Sequence, residues 1–470
     1  MSNVNSIIKT IRDLMRRDSG VDGDAQRISQ LVWMLFLKIF SDKERYWLKK
    51  HIDYNSPLPL KYKWTNWVNN DNFSADELIN FVNDDLFPTL KNLKQNDEQA
   101  QIIRSVFGDT YNFMRNGLLL KQVATEIDKI DFSSANDAHI FNEIYETILK
   151  ELQNAGTSGE FYTPRALTQF MVDMLDPQYN EKVLDPACGT GGFLTCTIEN
   201  LKKNVADIDY KIIQRTILGV EKKPLPHLLC TTNLILHGIE APQIFRGNYL
   251  AKSFDEWREE DHVDKILSNP PFGGLEEDGT EKNFPIEFRT KETADLFVLL
   301  IIELLKEGGS AAIILPDNFL FGEGVRTRLK EKLLTECNLH TIVRLPKGVF
   351  SPYTSVKTNL LFFQKGSPTK EIWYYEHQFP EGQSSYSKSK PIVIEDFEAE
   401  MKWWNNRIES DNSWKVMIDD IIKRGYDLDI SSPYFEEKEY VSSDELRTRL
   451  EKSFKKSEEL LNLLKLEFND

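Results

Sequence analysis

The sequence predicts an α/β protein: a doubly wound, mostly parallel sheet, preceded by an all-helical domain and followed by a C-terminal helical extension. Three observations carry this. Apolar residues recur every three or four positions as far as Leu152. Short β-rich runs then alternate with helical stretches up to Gly366, and the first of these runs ends in a Gly-rich turn. A chain of 470 residues has room for about three domains of ~150 residues. The changes of period place them at 1–155, 156–370 and 371–470.

The helical part is clearest where Ile28, Leu31, Val32, Leu35, Phe36 and Ile39 share one spacing, and again through Phe141, Ile144, Tyr145, Ile148, Leu149 and Leu152. Ser74 followed by Glu77 has the spacing of a capping box, which opens a further helix. Asn154 to Gly159 is small and turn-forming and marks the first boundary. Strands are then expected over Lys182 to Leu184, Thr216 to Val220, Gln243 to Arg246, Lys265 to Leu267, Ala311 to Leu315, Thr341 to Leu345 and Leu360 to Phe363. Beyond Gly366 the pattern loosens, and Gln383 to Lys390 reads as an exposed polar loop. Ser442 with Glu445 offers a second capping box. After it, Leu450, Phe454, Ser457, Leu461, Leu464 and Phe468 follow the alternating spacing of a short coiled-coil seam, which a helix folded back on its own domain would share.

Composition narrows the function. Lys and Arg total 58 against 74 Asp and Glu, a net charge of −16, so if the chain meets DNA, a partner is expected to supply much of the phosphate attraction, or a local basic patch that the overall sum conceals. The four cysteines form no C-x-x-C pair and the seven histidines no H-E-x-x-H, which argues against a disulfide framework and against a metal site. Met1 to Arg17 is charged throughout, and the most apolar stretch, Leu296 to Leu305, is short and contains Glu303. Neither an export signal nor a membrane span is expected, and a reduced, cytoplasmic setting fits.

Three segments carry chemistry. Val183 to Phe193 is a strand that ends in Asp185 and runs into a turn containing Gly189, Thr190, Gly191 and Gly192, where glycines let backbone pass close to a ligand. No Gly-Lys-Ser/Thr follows, so P-loop nucleotide hydrolysis is disfavoured. The second strand ends in Glu221, the position from which a doubly wound sheet holds ribose hydroxyls, and the charged Lys202 to Ile212 reads as an insertion before it. The third is Asp264 to Phe272, a strand that ends in Asn269-Pro270-Pro271-Phe272. Two prolines cannot continue a ladder and stiffen the turn. The Asn269 amide oxygen and the Pro270 carbonyl can then accept both hydrogens of one planar amine, with Phe272 as a ring on which a base can stack.

These residues resemble the Rossmann-like, S-adenosylmethionine-dependent methyltransferases that act on adenine N6 in DNA, and among them the modification subunits of type I restriction-modification systems. Gly159 to Arg165, Asp185 to Phe193 and Asn269 to Phe272 are similar to that family's cofactor and catalytic motifs. Ala312 to Phe321, Ile342 to Phe350, Lys357 to Phe363, Trp414 to Val416 and Tyr426 to Leu428 are similar to its later ones. The resemblance implies that S-adenosylmethionine is held by Glu160, Phe161, Tyr162, Thr163, Pro164, Arg165, Asp185, Gly189, Thr190, Gly191, Gly192 and Glu221. The target adenine would be held by Asn269, Pro270, Pro271 and Phe272. Where the family often carries an acid after the third strand, this chain has Asn248 behind Gly247, and Asn248 stands in as a cofactor residue. Phe350 is either a second stacking ring or a core aromatic. The implied partners are DNA, one specificity subunit shared by two modification subunits, and a restriction motor subunit. Two other readings remain open: a stand-alone amino-methyltransferase of RNA guanine or protein glutamine, and a non-catalytic scaffold.

Overall fold

β-branched and aromatic runs pair into one sheet in the computed structural model, which describes residues 2–132, 162–205, 209–351, 354–434, 447–448, 450–455 and 457–458. The strands are β1 (Val183–Asp185), β2 (Ile217–Glu221), β3 (Gln243–Arg246), β4 (Val263–Ser268), β5 (Leu305–Pro316), β6 (Cys337–Arg344), β7 (Thr358–Lys365), β8 (Glu371–Glu376) and β9 (Ser413–Met417). Their order across the sheet is β3-β2-β1-β4-β5-β7-β6-β8-β9. β1 to β5 pair in parallel, and β7 lies antiparallel between β5 and β6. From β1 the chain winds outward through β2 to β3 and then returns to β4 on the other side. The reversal between β1 and β4 opens a crevice at their carboxyl ends, which is where such sheets bind ligands.

All seven expected strands form, and β8 and β9 extend the sheet beyond them. β8 pairs in parallel with β6 and in turn takes β9 antiparallel. Residues 371–417, read in the sequence as the opening of a C-terminal region, therefore continue the same sheet. Ile372 to Tyr375 is apolar and largely aromatic and lacks the polar-apolar alternation that marks a half-buried strand, and Tyr374 stacks on Trp414 at 5.4 Å. The Gln383 to Lys390 loop is only partly exposed. Tyr386 is buried and its hydroxyl meets His377 Nε2 at 2.8 Å, while Nδ1 of the same ring lies 2.6 Å from Glu400 Oε1.

On the N-terminal side, helices Ser2–Met15, Asp24–Lys50, Glu98–Gly108 and Gly117–Asp128 surround one apolar core. The six residues singled out on the second of them, from Ile28 to Ile39, are all buried. The helix is buried on most sides, so Lys38 enters the core, where Asp42 and Asp128 neutralise it at 3.1 and 3.2 Å. The Ser74 capping box is formed as expected: Ser74 Oγ accepts from Glu77 N–H at 3.3 Å, and Glu77 Oε2 from Ser74 N–H at 2.8 Å. The same core takes in Leu228, Leu229, Ile235 and Leu236 of helix Pro224–Leu236, which follows β2, so the helical part packs against that helix of the sheet domain.

The run Phe141 to Leu152, the Asn154 to Gly159 boundary and the Ser442 cap lie outside the described residues. Residues 431–470 form a separate unit. Its described helical positions include Leu450 and Phe454, both exposed. Among the described residues no helix is long and apolar enough to cross a membrane.

Candidate active site

The crevice is built from four strand ends. At β1, Asp185 is fully buried, and its Oδ1 accepts from the Ala187 N–H at 3.1 Å and the Ser268 hydroxyl at 2.9 Å. Burial pushes its carboxyl up to about 7; those two hydrogen bonds oppose the rise and the charge of Glu221 adds to it. The following turn needs glycine at two places. Gly189 has φ of +53° and donates its N–H to Glu221 Oε2 at 3.0 Å. Gly191 has φ of +83°, and a Cβ there would stand 2.6 Å from Cys230 Sγ.

Glu221 at the end of β2 is buried, and its second oxygen accepts from the Lys223 N–H at 2.6 Å. Burial raises its pKa against these bonds. The extra residues before β2 include a helix, Tyr210–Thr216, which accounts for the long spacing from Asp185.

At β4, Asn269 faces Thr163, which lies just ahead of helix Arg165–Leu175. Its Nδ2 donates to Thr163 Oγ1 at 2.9 Å, while its Oδ1 is buried and has no hydrogen-bond partner. With its nitrogen turned to Thr163, the unpaired oxygen points the other way. A buried acceptor left unpaired costs about 1–3 kcal/mol, and such a cost is sustained where a ligand completes the bond. Phe272 meets Phe350 edge to face at 5.7 Å; Phe350 is itself buried and packs as a core aromatic.

Two cavities open on this point and share Ala187 and Asn269. The first is lined by Tyr162, Thr163, Arg165, Asp185, Gly189 and Thr190 among others, and the second by Glu221, Lys222, Gly247, Asn248, Pro271 and Glu276 among others. Of the expected cofactor residues, Gly192 also lines the first cavity, whereas Gly191 packs against Cys230 and Pro164 faces a neighbouring groove. Pro270 is buried beneath the turn. Arg165 reaches Glu199 at 2.7 Å, tying the segment at 162–165 to helix Gly192–Asn204 behind the Gly-rich turn. Glu160 and Phe161 lie outside the described residues. Sequence reasoning missed Ser268, which fixes Asp185, and Glu276 and Thr293 in the second cavity. Ser268 directly precedes Asn269 and could have been found from the strand alternation.

Thr163→Ala should lower the turnover number about tenfold, since it releases the hydrogen bond that orients Asn269, and weaken cofactor affinity by no more than about threefold, since the side chain also lines the first cavity. Thr163→Ser should restore it. Single-turnover kinetics beside calorimetry separates the two quantities.

Residues 136–441 match the family model described as N-6 DNA Methylase, and residues 4–127 match the one described as HsdM N-terminal domain. The chain belongs to the N-6 DNA methylase family. It is 53% identical to the type I restriction enzyme EcoEI methylase subunit of Escherichia coli, over 98% of this chain and 97% of that one. Among solved structures, a modification subunit of a type I restriction enzyme from Vibrio vulnificus YJ016 superposes with a TM-score of 0.85 at 40% identity, covering 92% of this chain and 97% of that one. A chain from a study of type I R-M complex assembly and conformational transition superposes at 0.82 with 36% identity, covering 100% of this chain and 99% of that one. The fold is thus that of the S-adenosylmethionine-dependent methyltransferases with a helical N-terminal domain, and the relatives matched over full length are type I methylase subunits.

Proposed function

We propose that this chain transfers the methyl group of S-adenosylmethionine to the N6 amine of an adenine rotated out of the DNA duplex, as the modification subunit of a type I restriction-modification system. The unpaired, buried Oδ1 of Asn269 carries this reading. The surrounding residues fit the cofactor. Asp185 and the turn from Gly189 to Gly192 suit the methionine end, Tyr162, Thr163 and Arg165 close over it, and Glu221 suits the ribose. The cofactor supplies a methyl already activated by its sulfonium, and the chain supplies alignment. Asn269 Oδ1 and the Pro270 carbonyl accept the two amine hydrogens, which directs the nitrogen lone pair away from them, and Phe272 offers its ring to the extruded base. Orientation and exclusion of water then do most of the catalytic work.

In this reading residues 1–155 form a helical domain that closes on DNA, 156–370 the catalytic domain completed by β8 and β9, and 371–470 a region whose last helix docks to a specificity subunit. The exposed Leu450 and Phe454 support that docking role. Two such chains share one specificity subunit, which selects the site, and a motor subunit adds restriction; the work is cytoplasmic. The net charge of −16 supports the division of labour, because the partner supplies much of the attraction to phosphate.

The test is methyl transfer from labelled S-adenosylmethionine to unmethylated DNA, with and without the specificity subunit, followed by nucleoside analysis. Label in N6-methyladenosine only with the partner is the expected result. Label without the partner overturns the subunit assignment. Label in guanine or in protein glutamine, or none under any condition, overturns the reaction itself.

A further inference from the structure

The second cavity contains a carboxylate that the reaction described above does not use. β1, β2 and β3 are neighbours in the sheet. A ligand that crosses the Gly-rich turn and places its ribose at Glu221 therefore carries its base to the end of β3, at Gly247 and Asn248. There is room for it: a Cβ built on Gly247 would meet nothing within 4 Å. A purine with an exocyclic amine needs an acceptor at that point.

Both ends of the Asn248 amide are already engaged, and its oxygen keeps only one acceptor site. Its Oδ1 accepts from the Leu250 N–H at 3.0 Å, capping the short turn Tyr249–Ala251, and its Nδ2 donates to Glu276 Oε2 at 3.0 Å. Glu276 comes from a different part of the chain, the loop that follows Phe272. Its Oε1 accepts from the Thr293 hydroxyl at 3.1 Å, Lys222 Nζ lies 3.4 Å from Oε2, and its side chain is 8% exposed. Three groups from three elements thus hold one buried carboxylate at the end of β3, and a carboxylate has about four lone-pair sites, so acceptor capacity remains for a ligand.

We propose that Glu276 accepts a hydrogen bond from the exocyclic amine of the cofactor's adenine, with Asn248 as its positioning residue. The proposal rests on the S-adenosylmethionine reading of the site. It also ties cofactor recognition to target recognition. Thr293 donates its N–H to the Gly274 carbonyl at 3.0 Å, and its one hydroxyl hydrogen is shared between that carbonyl, at 2.9 Å, and Glu276 Oε1, closing the loop that begins at Asn269 to Phe272 and carries Glu276.

The test compares binding of S-adenosylhomocysteine and S-inosylhomocysteine, in which an oxo group replaces the amine, to the full-length chain by calorimetry. The unaltered chain should prefer the adenosyl ligand by on the order of 100-fold, because the oxo group faces an acceptor with an acceptor. Glu276→Ala should weaken S-adenosylhomocysteine about tenfold and reduce the preference to within about threefold. Glu276→Gln keeps the shape and offers either a donor or an acceptor, so it should bind the inosyl ligand better than the unaltered chain does. An Ala variant that retains the full preference, or a Gln variant that leaves the inosyl ligand unchanged, overturns the proposal. Failure of the unaltered chain to bind S-adenosylhomocysteine overturns the cofactor assignment itself.

Discussion

Asn269→Ala is expected to abolish methyl transfer while cofactor affinity stays within about twofold of its original value. The substitution removes the buried Oδ1 that has no partner in the protein and also the Nδ2 that bonds Thr163. Losing one preorganised polar partner of a reacting group costs about 10²–10³ in turnover, and here the acceptor and its orientation are lost together, so a fall of at least that size is expected. In the proposed binding mode cofactor affinity is spared, because the turn after β1 and the end of β2 supply most of the contacts. Asn269→Asp should retain part of the activity. The Thr163 hydroxyl can reverse its hydrogen bond and donate to the second carboxylate oxygen, leaving the first one aimed as before. Single-turnover transfer with labelled S-adenosylmethionine, beside calorimetry, reads both quantities. Wild-type transfer by the Ala variant would remove Asn269 from the mechanism.

The contrast between these residues and Glu276 shows what a sequence can convey. Asp185, Glu221 and Asn269 were legible because each ends a strand, and strand ends converge at the reversal of a doubly wound sheet whatever the connecting loops do. The Gly-rich turn was legible because positive φ leaves glycine as its usual occupant. Asn248 was placed at the right strand end, but its role could not be read, because the direction of its amide is set by Glu276 in a loop that shares no period with it. Tyr386 is the same kind of case: it lies in a stretch of Ser, Gln and Lys whose composition says loop, and only the His377 and Glu400 pair shows that the loop is tied down. β8 was missed for a different reason. Its apolar run is covered on both faces, Ile372 and Tyr374 in one core and Trp373 and Tyr375 against Trp403, so the alternation that marks an exposed sheet face never appears in the sequence.

Cofactor affinity should rise with pH up to about 7 and then level off, and Asp185 is the reason. Burial holds its carboxyl at about 7, far above the ordinary carboxylate range. Between the unfolded value, near 4, and 7 the folded chain binds more protons at this site than the unfolded chain does. Stability of the ligand-free protein from this group is therefore fully present at low pH and is lost as pH rises through 7. Ligand binding has the opposite slope. The methionine end of S-adenosylmethionine carries an ammonium and a sulfonium against a single carboxylate, and in the proposed placement its net positive charge beside Asp185 favours the ionised form. Binding below pH 7 must then expel a proton, and affinity should increase by up to about tenfold per pH unit between pH 5 and 7. Glu221 is also raised by burial, so the unaltered chain alone does not identify the group. Asp185→Asn does: its amide oxygen can still accept from Ala187 N–H and Ser268, yet it cannot ionise. That variant should bind about as weakly at pH 7.5 as the unaltered chain does at pH 5.5, with its pH slope gone. Calorimetry in buffers of different ionisation enthalpy counts the released proton directly. A flat affinity profile in the unaltered chain, or a slope that survives Asp185→Asn, would place the cofactor's charge away from β1.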